Sequence, residues 1–233
     1  MRIFIVMVVG AFFSMLLAND FIGNIEALKG RVKVKSENSI RKSKLKIDSK
    51  IQTGDLITTS RGSYTKIKLV DGSLVLLDES SSIIFDSVYS AKQDSGRVYY
   101  KITSRNAKNS IKIKTPFAII GVKGTTFIIN SKKDNFSVAL KEGLIGVASI
   151  KEEFELYRKK VKKQFEDFMA QQQAAYEEYK KVQQPGFVEK TKEFDLHEKK
   201  TISFDGNKAN EKDWTQKDDE EFEYFQELMS SMK

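Results

Sequence analysis

From Phe21 to Ile150 apolar and polar residues alternate in short runs closed by Gly, Asp and Ser, and this pattern constrains the fold more than any other feature of the chain. Arg31-Val32-Lys33-Val34-Lys35 and Lys44-Leu45-Lys46-Ile47 alternate strictly, as do Thr65, Ile67 and Leu69 against Lys66 and Lys68. A period of two puts alternate side chains on opposite faces of a strand, so one face is apolar and the other wet. Similar runs follow at 82–85, 97–102, 111–114 and 136–140. Asp71-Gly72 separates two of the runs, which is a strong hairpin signal, and Thr53-Gly54-Asp55 and Arg61-Gly62-Ser63 mark further turns. Many short strands with such turns predict a mainly β chain, built as an all-β sandwich, a barrel or a solenoid-like coil. No fixed repeat length supports a regular solenoid.

The segment Lys114 to Asn130, KTPFAIIGVKGTTFIIN, is the densest in backbone information. Thr115-Pro116 opens an extended run, because proline fixes φ and pushes the residue before it out of the helical region. Gly121 and Gly124 interrupt the run where the chain bulges, bends or lets another backbone approach, so it reads as two core strands or one kinked strand. Its pattern, which includes Thr115, Pro116, Gly121, Gly124, Thr125 and Phe127, resembles the central signature of FecR-type domains, T-P-x-A-x-x-x-V-x-G-T-x-F. Three further segments resemble the same family. Ile51 to Thr59, with Gly54 and Asp55, is similar to its G-D-x-x-x-T segment, and Asp71 to Leu77, with Asp71 and Gly72, to its D-G-S-x-x-x-L segment. Leu140 to Val147, with Glu142 and Gly143, is similar to the closing V-x-E-G-x-V-x-V.

The four motifs stand in the family's order and cover about Ile25 to Val147. Each also has a plain physical reading: Gly54, Gly72 and Gly143 suit turns that need positive φ, and Gly124 suits close strand packing. These are structural residues, not catalytic ones. The resemblance implies a module outside the cytoplasmic membrane that relays a signal, in the family from an outer-membrane transporter to a sigma factor. Only Met1 and Arg2 precede the first apolar run, which argues against a direct anti-sigma role and for a free-standing exported module.

Residues 1–18 have the layout of a secretory signal peptide: Arg2, an apolar run from Ile3 to Leu17, then Ala18. Export to the periplasm is the expectation. Leu16 is larger than the residue preferred three positions before a cut, which leaves an uncleaved inner-membrane anchor as the alternative. The chain has no Cys, so neither disulfides nor a lipoprotein anchor contribute. Residues 19–149 form the predicted FecR-like β-domain. Charge is uneven: residues 19–150 hold 23 Lys and Arg against 12 Asp and Glu, a net +11, whereas 151–233 hold 16 against 20, a net −4. The basic body either attracts anionic envelope material, such as acidic glycans or peptidoglycan, or simply keeps strand faces and edges soluble.

Residues 150–184 predict a long amphipathic helix. Phe154, Tyr157, Val161, Phe165, Phe168 and Tyr179 recur at helical spacing, and Pro185-Gly186 stops the run. Its apolar stripe packs on the β-body or, at Phe168, Tyr176 and Tyr179, meets a partner. Residues 185–233 then hold return strands at 193–205 and a short terminal helix with Thr215 and Asp218 in capping-box spacing. Little chemistry is found. His197 is the one histidine, and there is no G-x-S-x-G, phosphate-binding loop or zinc motif. Asp78-Glu79 and Asp218 to Glu221 offer at most weak cation binding. The chain is therefore expected to be non-enzymatic, without cofactor, metal or nucleic-acid partner. It would act through protein contacts around Asp71 to Leu77 and the long helix, with glycan binding by the basic body as the alternative.

Overall fold

The computed structural model describes residues 21–37, 39–103, 110–132, 135–158 and 188–232. The alternating runs form two sheets. Sheet A has the order β4 (Lys50–Gln52), β1 (Phe21–Lys29), β6 (Tyr64–Leu69), β7 (Leu74–Leu77), β9 (Ser90–Lys101), β12 (Thr126–Lys132), β13 (Asn135–Glu142), β18 (Lys200–Asp205), β19 (Lys208–Asp213), β15 (Phe154–Tyr157), β16 (Val188–Thr191). Sheet B has the order β3 (Ser43–Lys44), β2 (Val32–Lys35), β5 (Leu56–Thr59), β8 (Ser82–Ser87), β9 again, β10 (Ile111–Lys114), β11 (Ala118–Val122), β14 (Leu144–Ser149), β17 (Glu193–His197). All pairs are antiparallel except β9 with β10 and β15 with β19. The chain passes repeatedly from one layer to the other, and inward side chains of both sheets share one core.

β9 belongs to both layers. Its first residues pair with β8 and β10 in sheet B, and from Gly96 to Lys101 it pairs with β12 in sheet A. At the crossing Gly96 has φ +86°, and a Cβ there would sit 2.4 Å from the Ser81 Cα, so only glycine fits. Buried Gln93 satisfies the polar groups exposed by the bend: its amide donates to the carbonyls of Gly96 and Ile129, and its oxygen accepts from the Tyr100 hydroxyl at 2.9 Å.

A row of aromatic contacts joins the first 150 residues to the last strands. Phe136 meets Phe117 and Phe204, and Phe154 meets Phe204 and Phe194, with ring centroids 4.9–5.7 Å apart. The return strands thus complete the same core. Helix α1 (Gln216–Ser231) then lies on the outer face of sheet A, making a third layer over part of it.

Several expectations change. Of the two readings of segment 114–130, two strands is the one found, β11 and β12, but they lie in different sheets, and Gly124 sits in the turn between them at φ +60° rather than inside a packed strand. Gly121 lies in an unbroken ladder and makes no bulge. Thr115-Pro116 forms the β10–β11 turn, where the Thr115 hydroxyl accepts from the Ala118 N–H at 3.0 Å. The helix expected from residue 150 begins instead with strand β15, because Phe154 and Leu156 are buried alternately and pair onward with β16 and β19. Tyr157 pairs with Val188, so the chain between them leaves and returns at neighbouring strand ends. The rest of the predicted helix, with Phe168, Tyr176 and Tyr179, and the predicted signal peptide lie outside the described residues.

Candidate functional site

The two sheets present outer faces of opposite character. On sheet A the outward positions of five strands carry Ala27, Leu76, Tyr99, Ile128 and Ala139, an apolar face that α1 covers with Phe222, Phe225 and Met232. Tyr99 stacks on Phe225 at 5.5 Å and meets Phe222 edge-on at 5.9 Å. Burial under the helix, helped by the Glu142 charge, pushes the Tyr99 hydroxyl up to about 12. The spacing of 222, 225 and 232 keeps these side chains on one side of the helix. Its start is held by the Asp218 carboxylate, which accepts from the Thr215 N–H at 2.8 Å and from the Thr201 hydroxyl of β18 at 2.8 Å.

A polar clamp fixes the middle of α1. Arg97 donates to Asp78 at 2.7 Å through Nε and at 2.5 Å through one terminal nitrogen, and to Glu221 of the helix at 3.2 Å. The Tyr224 hydroxyl donates to the other Asp78 oxygen at 3.2 Å, and the guanidinium lies 4.8 Å from the centre of the Tyr224 ring. Burial alone would lower the Arg97 pKa, but Asp78 and Glu221 outweigh it and hold it above its ordinary value. Burial, with Tyr64 and Asp78, also pushes the Tyr224 hydroxyl up. Asp78 is therefore an internal ion-pair partner, and Glu79 accepts the Gly62 N–H at 2.5 Å, so the carboxylates considered for cation binding are engaged here. The surface expected to meet a partner around Asp71 to Leu77 is also largely taken: Val75 and Leu77 face the core, and Leu76 lies under α1.

The outer face of sheet B is grooved, and no described element covers it. One cross-strand row runs Lys112, Gly121, Gly146, Asp195, and the next runs Lys114, Ile119, Ala148, Glu193. The rows form an open trough of about 730 Å³ floored by the two glycines, with cations on one bank and carboxylates on the other. His197 stands exposed at the end of β17, opposite Leu144.

The motif residues all shape the chain. The Asp55 carboxylate accepts the Gln52 N–H, and Asp71 accepts both the N–H and the hydroxyl of Ser73, each at 2.9 Å. Gly54, Gly72 and Gly143 have φ of +81°, +82° and +94° in their turns. Phe127 stacks on Tyr100 at 4.8 Å, Thr125 is buried, and Glu142 accepts the Thr126 hydroxyl at 3.4 Å. Residues 55–146 match the model of the family described as FecR protein. This segment is therefore similar to a FecR domain. FecR proteins are regulatory rather than a known enzyme family. No curated protein matches the chain in sequence. Two crystal structures of a provisionally assigned anti-sigma factor from Parabacteroides distasonis align with 68% of this chain, at 11% and 13% identity and TM-scores of 0.47 and 0.45. The chain spans 59% of the length of those chains.

The matched segment is not closed by its own residues: β1 to β4 extend it on one side, and β15 to β19 with α1 on the other. A second polar cleft, of about 650 Å³, lies in the amino-terminal extension and the turns it meets, between Arg31, Lys44 and Arg61 and around Gly30 and Gly62. Among the described residues no group of three or more His, Asp or Glu side chains is placed to hold a metal ion. No helix among them is long and apolar enough to cross a membrane. Sequence reasoning missed the glycine-floored trough. The available signal was the parity of Gly121 and Gly146, which occupy outward positions of otherwise alternating strands.

Proposed function

We propose that the chain is an exported, non-enzymatic FecR-domain protein that acts in the periplasm through protein contacts, as a signal-relay or scaffold component of the cell envelope. The match of residues 55–146 to the FecR family carries this reading. The signal-peptide layout of residues 1–18 supports export. The ends of β15 and β16 support a role for the segment between them. Because Tyr157 and Val188 are cross-strand partners, a turn of two or three residues would be enough to join β15 to β16. The proposed partner contacts on that segment are Phe168, Tyr176 and Tyr179. Crosslinking in intact cells, followed by affinity capture, tests the proposal against two variants: one with residues 159–187 replaced by a two-residue Asn-Gly turn, and Y176A/Y179A. A discrete envelope partner lost in both supports it; recovery unchanged by either removes the segment from the mechanism.

The cleft between Arg31, Lys44 and Arg61 favours a second reading, capture of an anionic glycan such as peptidoglycan. That reading expects sedimentation with purified cell wall, steep loss with salt, and loss in R31A/R61A. Sedimentation indifferent to R31A/R61A discards it.

A further inference from the structure

We infer that the outer face of sheet B is a self-association surface, pairing face to face with the same face of a second copy. The two-fold axis runs along the strands between β11 and β14. This inference is independent of which envelope partner the protein serves.

Three observations lead to it. First, neither floor glycine is required by the fold. Neither has a positive φ, and an added Cβ would meet nothing closer than 3.8 Å at Gly121 or 3.7 Å at Gly146. Glycine in a strand interior is unfavourable by itself and marks a site where another backbone approaches. Here nothing among the described residues does so, which leaves room for an approach from outside.

Second, the banks carry opposite charges that cannot satisfy one another. β10 and β17 are three strand spacings apart, about 14 Å at ~4.8 Å each. Among the described residues none of Lys112, Lys114, Glu193 and Asp195 takes an ion-pair partner.

Third, the face is its own complement. Rotation by 180° about an axis along the strands exchanges the banks and keeps the rows. Lys112 of one copy then meets Asp195 of the other, and Lys114 meets Glu193. Gly121 opposes Gly146, and the larger Ile119 seats over Ala148. Every contact occurs twice, which is the signature of an isologous interface. The patch is four to five strands wide, roughly 20–25 Å, so the pairing belongs to the small, salt-sensitive class of interfaces and not to the obligate one.

Sedimentation equilibrium on the full chain in dilute salt, at concentrations rising to the millimolar range, is the test. A reversible dimer that weakens with salt is expected. K112E and D195K should each weaken it at least tenfold, because each reversal sets like charges together at two symmetric contacts. K112E/D195K should restore it, since both contacts are then reversed together. All these positions are exposed, and circular dichroism checks that each variant keeps its fold. A chain that stays monomeric throughout, a dimer indifferent to K112E, or a swap that fails to rescue would overturn the inference. An independent arm uses the absence of native cysteine. In K112C/D195C the two thiols are too far apart to join within one chain. Oxidation should therefore give a covalent dimer, and exclusively monomeric product would also overturn it.

Discussion

The outer faces of the two sheets stand over the same core, yet the chain treats them differently. On sheet A the outward positions are filled with Leu76, Tyr99 and Ile128, and the chain supplies its own cover in α1. On sheet B the corresponding positions hold Gly121, Gly146 and Ala148 between charges that have no ion-pair partner among the described residues, and no described element covers them. An apolar face must be buried to be tolerated, whereas a small, charged face is stable in water and can still be recognised. The comparison teaches that one layer is spent on holding the fold together while the other is left available.

Breaking the cover should have the largest effect. Phe225→Ala removes a fully buried ring stacked on Tyr99 and should cost about 3–5 kcal/mol, read as a lower midpoint in chemical denaturation. Next comes the clamp. Arg97→Met leaves Asp78 buried without its cation, and a cost of about 2–3 kcal/mol is expected, below that of a fully buried pair because the Arg97 side chain is 29% exposed.

Tyr99 adds a pH signature to the covered face. Its hydroxyl ionises near 10 when unfolded and at about 12 when folded. Over that interval the unfolded chain releases a proton that the folded chain keeps. Stability is therefore complete below pH 10 and falls as pH rises through the window, by on the order of 2 kcal/mol. Denaturation midpoints across the range should show the fall, and Y99F should make it shallower without abolishing it, since Tyr100 and Tyr224 are also raised.

The bare face should respond in the opposite manner. Gly146→Val has room for its side chain and a better strand former at the site, so stability should move by less than ~1 kcal/mol while self-association falls at least tenfold. The smallest effect is expected from replacing residues 159–187 by an Asn-Gly turn, because Tyr157 and Val188 already stand opposite each other. Its thermal midpoint should stay within about 2 °C of the parent's.

Much of this fold was legible because period-two alternation and turn chemistry agree with each other. The β6–β7 hairpin follows from Asp71-Gly72, the strands β17 and β18 from 193–205, and α1 from Thr215 and Asp218. Strand β15 was not legible, because Phe154 and Tyr157 stand three apart and fit a helix as well as Phe154 and Leu156 fit a strand. β19, with the sequence KANEKD, has almost no strand propensity and buries only Ala209; its pairing with β18 and β15 creates it. The trough was missed for a related reason. A glycine in a strand reads locally as a break, and only the ladder shows that Gly121 and Gly146 lie side by side on the outside. The clamp was invisible because Asp78, Arg97 and Glu221 are joined across more than a hundred residues.

The crossing strand β9 has a mechanical consequence. A pull along it loads the ladders with β8 and β10 in one layer and those with β7 and β12 in the other, and strands drawn past one another must break many hydrogen bonds together. The two layers thus share tension through one rod, while the short margins β3 and β16 peel bond by bond. A component stretched between two attachment points in the envelope would be stiff along β9 and would yield first at those margins, an order that single-molecule pulling from paired anchor sites can read directly.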